Sequence, residues 1–359
     1  MAVSLYKQNI KDYIGRELLK HPKINYLRTA WKYRHDSDFV DYVMHMYRDP
    51  NLLRMKSFGE KNLDKNIHLI ALGGEMGLGG YLRRTFYGLA DAERLGFTPV
   101  VQYLTESCVY AEHEPINGVS NPFEYYFEQV AEVSVRETYQ SKRVFLFESA
   151  HELRVEHDLG NTKADRAGGY DVNEAYLHNL ARLMKRYIRL NKSTENFVLD
   201  GVSVLGGLEG RSSKILGVHI RGTDYSLNWK NHPNMVSVDE FITTIDNVLQ
   251  QYGFDYIFLA TDDATRLKTL RERYGNKLLY YKDVHRSSGK VSVAEEKNNR
   301  PLNHYLNGLE VIRDMYTLAS CNGLICGLSQ VSFIARIIRL SQGTPYEFLK
   351  VLDKGIYKG

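Results

Sequence analysis

The sequence predicts an α/β protein of two Rossmann-like domains, their parallel sheets facing one cleft, with a helical segment at the N-terminus. Three observations predict it. Apolar runs of strand length alternate with helical stretches of about 10–15 residues, the pattern that builds parallel sheets covered by helices on both faces. The alternation comes in two blocks, separated by the Gly- and Ser-rich stretch Asp200–Ser213, which reads as a linker. Two strands, Ile215–Ile220 and Gly323–Gly327, stop abruptly in polar residues suited to an anion, at the carboxyl ends where such sheets bind ligands. At 359 residues the chain also exceeds the usual size of a single core. Residues 1–200 are therefore read as the N-terminal domain and residues 201–359 as the C-terminal domain.

Residues 1–62 are basic, tyrosine-rich and helical in pattern, with a break at Asp49-Pro50-Asn51. They suit a helical cap or, alternatively, an interfacial surface meeting a lipid-linked acceptor. The first block then gives a strand at Ile67–Leu72, a helix at Tyr81–Leu95 stopped by Gly96, and strands at Pro99–Leu104 and Val144–Phe147. A helix over Asn173–Leu190 places Leu177, Leu180, Ala181, Met184, Tyr187 and Ile188 on one face. The second block runs strand Ile215–Ile220, a helix opened by the capping box Ser237-Val-Asp-Glu240 and closed at Gly253, strand Tyr256–Ala260, helix Ala264–Tyr274 and strand Leu278–Tyr281. Helix Leu309–Ser320, strand Gly323–Gly327 and helix Val331–Leu340 complete it.

Composition narrows the function classes. Apolar residues make up 43% and charged residues 25%, which suits a globular protein and not a disordered or repetitive one. The net charge of +4 is too small to point to nucleic acid. Three cysteines without a Cys-x-x-Cys fit a reducing, cytoplasmic compartment and no zinc site. No run approaches the ~20 apolar residues of a membrane span, and Met1–Lys20 lacks a signal-peptide core. The expectation is a cytoplasmic protein with, at most, peripheral contact at the inner membrane face. The 26 tyrosines suit stacking on sugars or bases as well as ordinary half-buried packing.

Four junctions carry chemistry. Gly73–Arg84 follows a strand and opens a helix, so Gly77 and Gly79 allow close backbone approach and the amides can bind an anion. Its spacing departs from the dinucleotide fingerprint, which leaves a nicotinamide dehydrogenase as an outside reading; a tight turn is the plain alternative. In His219-Ile-Arg-Gly-Thr-Asp224, alternation puts His219 and Arg221 on one side of a strand end, where Arg can grip a leaving diphosphate. Asp224 could orient Arg221, hold a sugar hydroxyl or act as base; the two could also form a structural ion pair. Thr261-Asp262-Asp263 ends a strand at a helix start, so one carboxylate is explained by capping and the second is surplus. Glu310 and Asp314 share a helix face and could read the paired N–H groups of a guanine or be solvated surface charge. Ser329-Gln330-Val331 opens the last helix, whose N-terminus suits a phosphate or needs only a cap.

Taken in order over about Leu69–Leu340, these four junctions resemble the fucosyltransferase superfamily of core α-1,6-fucosyltransferases, nodulation fucosyltransferases and protein O-fucosyltransferases, in a bacterial member. The resemblance implies a GT-B-like fold and an inverting, metal-independent transfer of fucose from GDP-fucose to a glycan, in surface-polysaccharide biosynthesis. It implies no cofactor beyond the GDP-sugar co-substrate. By it Arg221 holds the β-phosphate, Ser329 and Gln330 contact the diphosphate, His219 lies near the nucleotide, Asp314 binds guanine, and Asp262 and Asp263 match an acidic pair. Glu75 and Asp224 are the candidate general bases. Gly222 stands where α-1,6 members often carry a second arginine, and Gly79-Gly80-Tyr81 replaces a common Gly-Asn-Gln. These departures leave open another nucleotide sugar, or a catalytically silent glycan-binding homologue.

Overall fold

The computed structural model describes residues 54–147, 151–164, 167–170, 172–206, 213–222, 231–287, 293 and 299–358, with Ile24, Arg28, Trp31, Arg34 and His35 before them. The chain divides into two compact units, Met1–Met55 and Lys56–Gly359. The N-terminal helical segment thus lies almost wholly outside the described residues. Its expected extent to residue 62 is corrected, because the chain is already extended at β1 (Arg54–Lys56).

The first block supplies β2 (Ile67–Leu72), α1 (Leu78–Leu95), β3 (Thr98–Tyr103), α2 (Val135–Thr138), β4 (Val144–Leu146), α3 (Glu152–Asp158), α4 (Glu174–Tyr187) and α5 (Lys192–Gly206). Its sheet has the order β1-β4-β2-β3, with β2 parallel to both β3 and β4. Helix α1 ends where Gly96 turns left-handed at φ 68°, a conformation that costs glycine no Cβ clash. Asn173 caps α4 by accepting from the Tyr176 amide; Leu177, Leu180, Ala181 and Met184 of its predicted apolar face are buried, and Tyr187 is half-buried.

The second block supplies β5 (Ile215–Ile220), α6 (Val238–Tyr252), β6 (Tyr256–Thr261), α7 (Ala264–Tyr274), β7 (Leu278–Leu279), α8 (Asn303–Ser320), β8 (Gly323–Gly327), α9 (Gln330–Ser341) and β9 (Phe348–Leu352). All its paired strands are parallel, in the order β7-β6-β5-β8-β9. Winding therefore reverses between β5 and β8, whose carboxyl ends flank the crevice in which doubly wound sheets bind ligands. Strand alternation sorts the two faces. Leu216, Val218 and Ile220 pack with Phe241 and Ile245 of α6, while Ile215 faces the opposite side with Leu318 of α8 and Ala335 of α9.

Two expectations change. The stretch Asp200–Ser213 does not begin as a loop: α5 continues to Gly206, so the boundary drawn at residue 200 falls inside a helix. Gly201 explains part of this, since a Cβ there would lie 2.5 Å from Arg313 Cδ, and its absence lets α5 pack closely on α8. The main apolar core also joins the blocks: Ile70 of β2, Phe86 of α1 and Leu180 of α4 share it with Met315 of α8 and Ile334 of α9.

Candidate active site

A cavity of about 410 Å³ opens at the carboxyl ends of β2, β5, β6 and β8, within the size range of small-ligand sites. Strand β5 delivers His219 and Arg221 to it on the face turned toward α8, because residues two apart share a side. Arg221 is fixed by Asp262 at the end of β6: its Nη1 lies 2.7 Å from Asp262 Oδ2, while Asp262 Oδ1 accepts from the Gly222 amide at 2.9 Å. Asp262 is thus the surplus carboxylate of the Thr-Asp-Asp strand end, and it lines the cavity. Asp263 does not. Its side chain caps α7 by accepting from the Thr265 and Arg266 amides, and it pairs with Arg266 at 3.3 Å. Gly222 is explained by the same neighbour, since a Cβ there would lie 2.4 Å from Asp263 Cβ.

The two helix N-termini meet at the cavity. Ser329 caps α9 by accepting from the Val331 amide at 3.1 Å, and Gln330 begins the first turn. Gly77 has no side chain with which to cap α1, and the Tyr110 hydroxyl takes the Leu78 amide instead at 2.9 Å. Gly79 serves close packing: a Cβ there would sit 2.8 Å from the Gln330 carbonyl oxygen. Both termini therefore face one space with their partial positive charge.

Helix α8 supplies the acidic wall. Asn307, Glu310 and Asp314 recur at helical spacing and all line the cavity. Glu310 is paired with Arg300 and is only 4% exposed, which removes the reading of solvated surface charge. Burial pushes the Asp314 carboxyl up to about 7, opposed by the nearby Arg286 and Arg313 guanidiniums. Arg313 is itself held by Asp283 through bonds of 3.0 and 2.8 Å and stacks 3.8 Å from the Tyr281 ring centroid. Burial also lowers His219 to about 4, so its ring is neutral near pH 7. His219 Nδ1, Asn307 Oδ1 and Gln330 Oε1 have no hydrogen-bond partner among the described residues. Unpaired buried polar atoms are costly, and three of them around one cavity mark a place for a polar ligand.

The structure brings together Glu75, Gly77, Gly79, His219, Arg221, Asp262, Asp314, Ser329, Gln330 and Val331 around this cavity. It leaves Asp263 aside as a helix cap. Asp224 lies outside the described residues. Sequence reasoning missed Tyr110, Tyr170, Thr261, His232, His285 and Asn307, which also line the site. Tyrosine abundance was the available signal for the first two, but it does not say which tyrosines. Among the described residues, no group of three His, Cys, Asp or Glu is placed to hold a metal ion, and no helix is long and apolar enough to cross a membrane.

An α/β protein with a polar cavity at the strand ends of two sheets is the class that fold and site define. Residues 95–353 match the family model for alpha-(1,6)-fucosyltransferase N- and catalytic domains, and the chain belongs to that family. It is a glycosyltransferase. The match begins within α1, so the glycine loop precedes it. Among solved structures, the chain is similar to the NodZ alpha-1,6-fucosyltransferase co-crystallized with GDP, at 18% identity and TM-score 0.48, over 77% of this chain and 92% of that one. It is similar to the fucosyltransferase NodZ from Bradyrhizobium, at 18% identity and TM-score 0.48, over 77% and 93%. It is also similar to POFUT1 in complex with GDP-fucose, at 10% identity and TM-score 0.46, over 82% and 99%. Among curated proteins, none matches the chain significantly.

Proposed function

We propose that the chain transfers fucose from GDP-fucose to a glycan acceptor by inverting displacement, without a metal ion. The observation that carries this is the placing of Arg221 and Ser329 at the ends of adjacent strands, on one cavity with Asp314. Arg221 then holds the β-phosphate and stabilises charge on the departing GDP, with Asp262 fixing its plane. Ser329 and Gln330 present the N-terminus of α9 to the diphosphate. Asp314 accepts from the guanine N–H pair and His219 lies against the nucleotide. Glu75, exposed at the cavity, and Asp224, outside the described residues, are the candidates to deprotonate the acceptor hydroxyl. Replacing each by its amide decides between them: the base is the one whose loss lowers kcat without raising the donor KM. The acceptor, on the weight of the family, is a glycan of bacterial surface-polysaccharide assembly, reached from the cytoplasm at the inner membrane face. A panel of lipid-linked and free glycans tests it, and transfer to none of them would reject it.

Arg221→Ala should lower transfer by a factor on the order of 10²–10³, the loss typical of one charge-stabilising donor, with an unchanged circular dichroism spectrum. Transfer at the wild-type rate would sink the assignment. The donor is tested by calorimetry with GDP, UDP and dTDP. Preference for UDP or dTDP moves the enzyme to another nucleotide sugar. Glycan binding without any nucleotide binding identifies a silent homologue.

A further inference from the structure

Glu156 of α3 is wholly buried and accepts four hydrogen bonds. Its Oε1 takes Arg83 Nη2 and Asn161 Nδ2, each at 2.8 Å, and its Oε2 takes the Tyr87 hydroxyl and the Gly168 amide, each at 2.9 Å. A carboxylate satisfied this fully tolerates burial, yet an apolar core would serve stability as well. The informative donor is the loop amide. Gly168 sits in a left-handed turn at φ 75°, its carbonyl accepts from Gln330 Nε2 at 3.5 Å, and Tyr170, two residues on, lines the cavity.

Two further contacts lead from Glu156 to the same helix turn. The Arg83 guanidinium that it holds lies 4.4 Å from the Phe333 ring centroid, one turn into α9. Arg83 also stands one turn beyond Gly79 on α1, at the glycine that lets α1 approach the Gln330 backbone. A loop amide, a stacked guanidinium and a helix contact thus converge on the first turn of α9. We propose that Glu156 is a positioning residue for the donor site, setting through Gly168 and Arg83 the placement of Gln330 and the N-terminus of α9 toward the diphosphate.

This rests on the nucleotide-binding reading above, so the experiment begins with the nucleoside diphosphate that wild type binds best. Affinity is measured by calorimetry for Glu156→Gln, Gln330→Ala and the double variant. Positioning predicts about tenfold weaker binding in Glu156→Gln, and a double variant no worse than the poorer single one, because residues in one network do not add. The donor KM should rise with it while kcat changes little. Asp91→Asn is the control, since Asp91 is equally buried and paired with Arg154 at 2.8 Å but does not line the cavity. It should lower Tm and leave affinity alone. Gly168→Ala keeps the Arg83–Glu156 pair and meets no atom within 4 Å, but strains the turn. It serves if Glu156→Gln fails to fold, with the same expected coupling to Gln330. Additive effects, unchanged affinity in a folded Glu156 variant, or equal weakening by Asp91→Asn would each overturn the inference while leaving the donor reading intact. Failure of wild type to bind any of the three nucleoside diphosphates would overturn both.

Discussion

Single residues set the chemistry through their surroundings. Asp314 is the clearest case, because burial lifts its carboxyl from the ordinary 3.8 to about 7. On the proposed guanine contact, the neutral acid below that pH would offer an O–H to a base edge that itself presents N–H groups, and the anion above it would accept both. Donor kcat/KM should therefore rise as pH passes upward through about 7. Asp314→Asn should abolish that rise, and steady-state kinetics from pH 6 to 8.5 checks it; a persisting rise would assign the titration elsewhere. For fold stability the sign is opposite. The folded-state value lies above the unfolded one, so this group's contribution is present below 3.8 and lost as pH climbs through 7. His68 shows the cost of an unused polar group: both ring nitrogens are buried without hydrogen-bond partners among the described residues, and burial lowers it to about 4. His68→Leu removes that cost and should stabilise the fold by about 1–3 kcal/mol, read as a higher denaturation midpoint. A lower midpoint would mean that packing against Phe97 and Phe147 matters more.

At the scale of elements, the strand ends and helix starts were readable because their rules are local. Ile215–Ile220, Ala264–Tyr274 and Gly323–Gly327 coincide with their predicted bounds, as do the Ser237–Glu240 capping box and the Gly253 stop. What escaped depends on distant partners. Helix α5 crosses a glycine because Arg313 fills the space beside Gly201, and α8 begins six residues early, at Asn303. Strand β9 alternates poorly because it edges the sheet, with Leu349 and Lys350 exposed. The cavity was legible in the same uneven way. Arg221 and Ser329 stand out by their places at a strand end and a helix start, and Asp314 by the family resemblance; Tyr110 carries no such local mark, and Asn307 shows only its place on the helix face of Glu310 and Asp314. Gly222 belongs to this scale too, since it lets the end of β5 meet the start of α7. Gly222→Ala should push Asp263 off its cap and disturb the Arg221–Asp262 pair. The expected losses are about 1–3 kcal/mol of stability and a raised donor KM. A variant with wild-type KM and midpoint would show that the junction yields freely.

Across the unit Lys56–Gly359, one apolar core runs from β2 to α9. Phe333, Ile334, Ile337 and Ile338 lie in the chain between β8 and β9 of the second sheet but are buried with Tyr176, Leu177 and Leu180 of the first block. Opening either sheet alone would expose that core. Hydrogen exchange by mass spectrometry should therefore give β2, α1 and α9 a common slowest rate and a common denaturant dependence. Earlier exchange of α9 with the second sheet would show two independent foldons. The same arrangement bears on how such enzymes can be recombined. A chimera cut near residue 200, meant to import a relative's donor half whole, would bring α8 and α9 shaped for a foreign partner. Cuts that leave α8 and α9 with their native neighbours, exchanging only the segment from β5 through β7, follow the packing instead of the chain order. Such a swap would carry over only part of the cavity lining, because Asp314 and Gln330 stay behind with the host.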